Sequence, residues 1–297
     1  MDKTTLLIIS LISALIVNIL RKTYASLVSG KTIESFVFSA VCAVVATIVL
    51  TIWGGISSTS IFTLILGVIF GLITATQYVF NLKALETGPL SYTQVIISFS
   101  TIIPTLSGVL FFGETIELIQ VFGIILILIS LLLSIDKSKN NKKSSFKWLA
   151  YCMIAFVCTG LIGVMQKVHQ KSQFASELNS FLVIAFLISF LFASTVSLVI
   201  CKRENSFIIF DNKSKKSKLF ILLCMLCCGI FIAVNNKLNL YLSGVIDSAI
   251  FFPIVNGGGL VLATLASLVL FKEKLSVKRW LGVVLGIISV ILLCNPF

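Results

Sequence analysis

The sequence predicts an all-α integral membrane protein of ten transmembrane helices, arranged as two inverted five-helix repeats. Three observations carry that expectation. The 297 residues are 58% apolar and 11% charged, with a mean hydropathy of +1.11, whereas soluble domains carry roughly a quarter charged residues. About ten apolar runs reach the roughly 17–25 residues that a bilayer crossing needs. The ends of the two halves also match at a constant offset.

The runs lie near 4–20, 33–53, 60–82, 89–112, 116–135, 147–166, 178–201, 218–241, 245–271 and 278–296. In lipid the backbone must satisfy itself, so each run is expected as a helix. The first has no small-residue cleavage site and is followed at once by Arg21 and Lys22, the pattern of an anchored span. Glu34 opens the second run and Asp247 the ninth; both read as solvated terminal charges, with a proton relay as the alternative. The polar stretch DKSKNNKKSSFK separates the halves. The expected organisation is a first repeat over 1–135, a basic loop over 136–147 and a second repeat over 148–297. The lone histidine, His169, falls in a polar loop on this reading.

The net charge of +12 does not point to nucleic acid, because the cations lie in short loops without a basic face or interleaved aromatics. Counted by alternate loops, 19 of the 23 Lys and Arg fall on one side, and Lys3, Lys167, Lys171 and Lys237 on the other. Positive-inside bias makes the richer side cytoplasmic and places both termini outside the cell.

Thr105, Leu106, Phe112, Glu114, Gly123, Ser130 and Leu133 coincide with Thr264, Leu265, Phe271, Glu273, Gly282, Ser289 and Leu292, each 159 residues on. A copied unit of five spans, an odd number, must enter the membrane from the opposite face the second time. The charges agree: the turn GETIE (113–117) is acidic and its counterpart KEKLSVKR (272–279) basic.

Ten spans in two halves, each closing on FFGE or LFKEK, a turn and a Gly-containing last helix, resemble the drug/metabolite transporter superfamily and its EamA-like branch. VFGIILILISLLL and WLGVVLGIISVILL are similar to that family's closing helices, and ALETGPLSYTQVI (84–96) to the start of its fourth span. The resemblance implies a carrier that exports, or sometimes takes up, amino-acid-like metabolites or toxic compounds. Pro104 and Pro253 depart from the spacing expected of the family, and some members have cytoplasmic termini.

Polar side chains inside spans mark the candidate site, since each is expensive in lipid. Gln77 and Asn81, four apart in the third run, are matched at an offset of 158 by Asn235 and Asn239 in the eighth. Spacing by four puts each pair on one helix face. Tyr78, Asn236 and Lys237 adjoin these pairs; Lys237 either snorkels to the interface or faces a wet cavity. Interhelical glue is the competing use of such amides. Pro253, Asn256 and Gly257, Gly258 and Gly259 predict a bent or locally opened ninth span beside the path, or close packing of small residues. Pro104 gives the fourth span a milder form of this. Glu114 and Glu273, with Gly123 and Gly282, read as structural elements of the repeat.

No Walker-type phosphate loop follows NGGGL. The cysteines of CMLCC (224–228) lack a second pair to complete a metal site, so no metal or other cofactor is assigned. An intramembrane enzyme would need a catalytic constellation at depth, and none is visible. The partners expected are a small-molecule solute and the lipid bilayer, with a homodimer left open. A lipid-linked-sugar flippase and a non-transporting membrane scaffold are the alternatives.

Overall fold

A computed structural model describes residues 2–28, 32–56, 59–87, 96–133, 146–204, 214–259, 261–262 and 277–294. The described residues are helical, with no strand among them. The helices are α1 (Lys3–Leu27), α2 (Thr32–Gly54), α3 (Ile61–Thr87), α4 (Ile102–Phe112), α5 (Leu118–Leu133), α6 (Phe146–Lys171), α7 (Leu178–Glu204), α8 (Lys215–Val245), α9 (Ser248–Pro253) and α10 (Val277–Cys294).

Six of them, α1, α2, α3, α6, α7 and α8, are long and apolar enough to cross a membrane, and the other four are shorter apolar helices. Their outer surfaces carry Ile12, Ile48, Leu64, Leu198 and Ile230 exposed, which suits a solvent of lipid. Two of the short helices have visible reasons for their length. A 3-10 turn, Phe99–Thr101, leads into α4, and Pro104 sits in the first turn of α4, where a missing N–H removes little. Helix α9 reaches Pro253 and continues as a π turn over Ile254–Gly258. Gly257 there lies against Ile127 of α5, so that a Cβ would overlap the isoleucine side chain. Irregular backbone and close packing thus coexist in the NGGG stretch, while no described residue would meet a Cβ at Gly259 within 4 Å.

Gly113 ends α4 in the left-handed region, at φ 64°, a conformation that glycine adopts without strain. The turn it makes lets the Glu114 N–H donate to the Gly108 carbonyl at 3.2 Å and points the chain back toward the bundle. Glu273, its counterpart in the repeat, lies outside the described residues, as do 88–95 and 263–276.

Helix α2 packs on α7, α1 on α8, α3 on α6, α3 on α7, α2 on α8, α4 on α9 and α5 on α10. Glycines permit several of these approaches. Gly71 of α3 meets the backbone carbonyl of Ala185 in α7, and Gly229 of α8 meets the carbonyl of Cys42 in α2. In the α5–α10 seam, Ser130 Oγ donates to the Gly282 carbonyl and Ser289 Oγ to the Gly123 carbonyl, both at 2.6 Å. The matched residues therefore contact each other crosswise, with the two helices antiparallel.

Three charged or titratable residues lie elsewhere than hydropathy suggests. Lys167, counted with a loop, and His169, assigned to a polar loop, are both inside α6 and fully buried. Glu34, read as a solvated charge, is 2% exposed. Hydropathy measures each residue against water or lipid, and these three face a third environment, the polar interior between helices.

Candidate transport site

The amides occupy the middle of the bundle. Gln77 lies about one turn beyond the centre of α3 and Asn235 about one turn beyond the centre of α8. They do not meet each other. Gln77 Nε2 donates to Thr159 Oγ1 of α6 at 3.2 Å. Asn235 Nδ2 donates to the Ser10 carbonyl of α1 at 2.9 Å, and Asn239 Nδ2 to Asn235 Oδ1 at 3.2 Å. The Ser10 hydroxyl closes that group onto Asn239 Oδ1. Each cluster ties a helix of the first five to one of the last five, through an amide on one and a hydroxyl-bearing residue on the other.

Between these clusters lie Tyr78 and Asn236. The Tyr78 phenol is within hydrogen-bonding reach of Asn236, whose Nδ2 also donates to the Ile232 carbonyl at 3.0 Å. Asn81 Oδ1 is buried with no hydrogen-bond partner among the described residues. Lys237 turns away from this group: its ammonium sits over the Trp53 ring, 4.2 Å from the centroid, and Trp53 is half exposed at the end of α2. Asn256 is half-buried within the π turn.

One cation that the sequence reading assigned to orientation alone joins the site. The Arg21 guanidinium lies 4.5 Å from the Tyr78 ring centroid and within hydrogen-bonding reach of the Cys228 thiol. It forms no ion pair with a described residue. A ring contact returns only about 0.5–2 kcal/mol to a cation turned into a span.

At the end of the bundle carrying the N-terminus, polar contacts bind the halves together. Glu177, in the turn before α7, accepts from the Ser60 hydroxyl at 2.8 Å and the Ser60 N–H at 3.0 Å. Asn179 Nδ2 donates to the Leu50 carbonyl at 3.0 Å and to the Gly55 carbonyl at 2.6 Å. His169 Nε2 lies 3.4 Å from Thr63 Oγ1, and its ring stacks on Phe181. Deeper in, Lys167 forms an ion pair with Glu114 and donates to the Ile246 carbonyl at 3.0 Å. Glu114 Oε2 accepts the Ser248 N–H at 2.7 Å. Glu114 stood out in the sequence as a repeated turn residue, but its partner did not. A usable signal existed: Gly160, Gly163 and Lys167 share one helix face by spacing, and both glycines pack against α4, at Ile103 and Pro104.

Residues 4–135 match the profile of the EamA-like transporter family. No curated protein matches the chain. A solved structure described only as "Crystal structure of protein" is similar to this chain with a TM-score of 0.74 at 13% identity. The similarity covers 98% of this chain and 95% of the other. At that identity the likeness speaks for the fold alone, and it extends well beyond residues 4–135. The apolar helices and the match over residues 4–135 support a multi-pass membrane protein.

Proposed function

We propose that the chain is a secondary transporter that exports small organic metabolites, amino-acid-like or toxic, by alternating access. Residues 1–135 and 148–297 act as inverted five-helix repeats on either side of the path. The observation that carries this reading is the packing of the most extensive helix pairs: exchanging α1–α5 for α6–α10 maps these pairs onto one another, while the α6–α8 and α4–α6 packings have no such counterpart. The α1–α8 contact becomes α6–α3, α2–α8 becomes α7–α3, and α2–α7, α4–α9 and α5–α10 map to themselves. Residue contacts along the bundle support opposite directions for α1 and α6. Helix α1 is antiparallel to α8 through Lys3–Val245 and Ser10–Asn239, and α3 to α6 through Thr63–His169 and Gln77–Thr159. Helix α3 runs parallel to α7 through Gly67–Ile184 and Gly71–Ile188, and α2 parallel to α8 through Cys42–Met225 and Gly229–Val45.

The solute site lies between the halves, at Gln77, Tyr78, Asn81, Asn235, Asn236 and Asn239, whose amides exchange their present partners for solute. The N-terminal face, extracytoplasmic by the positive-inside count, is held by the contacts of Glu177, Asn179 and His169. The test is flux of a metabolite panel in proteoliposomes with wild type and a Gln77→Ala/Asn236→Ala double variant. Flux that falls in the variant is expected. Flux indifferent to the variant would remove the site, and absence of flux for every solute would leave a membrane scaffold.

A further inference from the structure

We propose that Arg21 is the anchor for a carboxylate on the transported solute, an assignment that rests on the transporter reading above. The depth of the guanidinium is the first ground. It lies at the level of Tyr78 and Cys228, a thiol with no exposure that packs beside the equally buried Cys42. Cys42 is ten residues beyond Thr32, where α2 begins, about 15 Å into the helix at the α-helical rise. The Arg21 side chain is therefore turned into the bundle, where a cation meant only for the headgroups would have pointed the other way.

The second ground is charge balance. A tyrosine ring lies against the guanidinium, the Cys228 thiol is beside it, and no described carboxylate pairs with it. By contrast, Lys167, which is fully buried, has Glu114. Among the described residues one cation is thus matched by a carboxylate, and the half-buried Arg21 is left to an anion from outside. An anion arriving with the solute fills that place, and the planar fork of an arginine matches the two oxygens of a carboxylate. The third ground is position: Arg21 covers Tyr78, and Tyr78 reaches Asn236, so a bound carboxylate would place the rest of its molecule against the amides of the proposed site.

Three arginines exist in the chain, Arg21, Arg203 and Arg279, which makes the test selective. Full-length wild type in detergent is treated with phenylglyoxal, and adducts are read by mass spectrometry in the presence of benzoate, its neutral counterpart benzamide, or inorganic phosphate. Benzoate is expected to protect Arg21 alone, with benzamide inert and phosphate weaker than benzoate. Binding of benzoate, measured by thermal shift, should be lost in Arg21→Gln, kept in Arg203→Gln, and weakened about tenfold in Arg21→Lys, which keeps the charge and the fold but not the fork. Equal protection by benzamide, stronger protection by phosphate, or binding that survives Arg21→Gln overturns the proposal. So does the absence of any benzoate effect on wild type. Solute flux in proteoliposomes separates the two readings. Arg21-dependent binding without flux defeats the transporter reading alone, and flux indifferent to Arg21→Lys defeats the anchor alone.

Discussion

Lys167 of α6 and Glu114 of the turn after α4 form an ion pair in which the lysine has no exposure and the carboxylate 5%. The pair joins three places in the chain, since Lys167 also holds the Ile246 carbonyl and Glu114 the Ser248 N–H. Breaking a buried pair by removing one partner strands a charge and costs about 3–5 kcal/mol. Glu114→Gln and Lys167→Met should each lower the unfolding midpoint in detergent markedly. The double variant should recover most of the loss, because no charge is left unpaired. Equal damage from the double and single variants would mean that the hydrogen bonds, and not the charges, hold the turn.

The crosswise bonds of the α5–α10 seam predict equivalence. Ser130→Ala and Ser289→Ala each remove one interhelical hydrogen bond of the same geometry, worth about 0.6–2 kcal/mol in a membrane protein. Thermal unfolding of the two single variants should agree closely, with the double variant additive. A difference of several degrees between the singles would speak against twofold-related environments.

Gly71 and Gly259 should respond oppositely to alanine. At Gly71 the new methyl meets the Ala185 backbone carbonyl, which cannot swing aside, whereas no described residue lies within 4 Å of a Cβ at Gly259. Gly71→Ala is expected to destabilise by about 1–3 kcal/mol, the range for overpacking, and Gly259→Ala to leave the melting temperature unchanged. The comparison is read by scanning fluorimetry on matched preparations.

Pro253→Ala returns a backbone N–H to the point where α9 passes into the π turn. An added donor favours regular α-helix over the wide turn. Stability should hold or rise, and on the alternating-access reading proposed above flux should fall several-fold. Unchanged flux would assign the π turn to packing against Ile127 alone.

The six long helices were legible in the sequence because lipid imposes one demand on them, an apolar run of sufficient length; the runs expected to form the other four spans contain shorter helices among the described residues. The likeness between the ends of the halves was legible too. What the offset of 159 did not tell was that the matched residues touch crosswise, Ser130 with Gly282 and Ser289 with Gly123. The amide pairs were found by the same means, yet their hydroxyl-bearing partners, Thr159 and Ser10, were not, since serine and threonine are common in spans and carry little signal alone. Arg21 and Lys167 were read as markers of membrane sidedness for a similar reason. A cation near the end of a run looks the same whether it points out to headgroups or back into the protein, and only the neighbours of its tip distinguish the two.

In α5 a serine stands seven residues after a glycine, and in α10 the same two stand at the same interval. Each helix thus carries both the donor and the acceptor of the bond it makes with the other. Two identical copies of either one, laid head to tail, would satisfy each other fully. The join between α5 and α10 therefore asks for no difference between them, and either helix alone carries what pairing with its own copy would need.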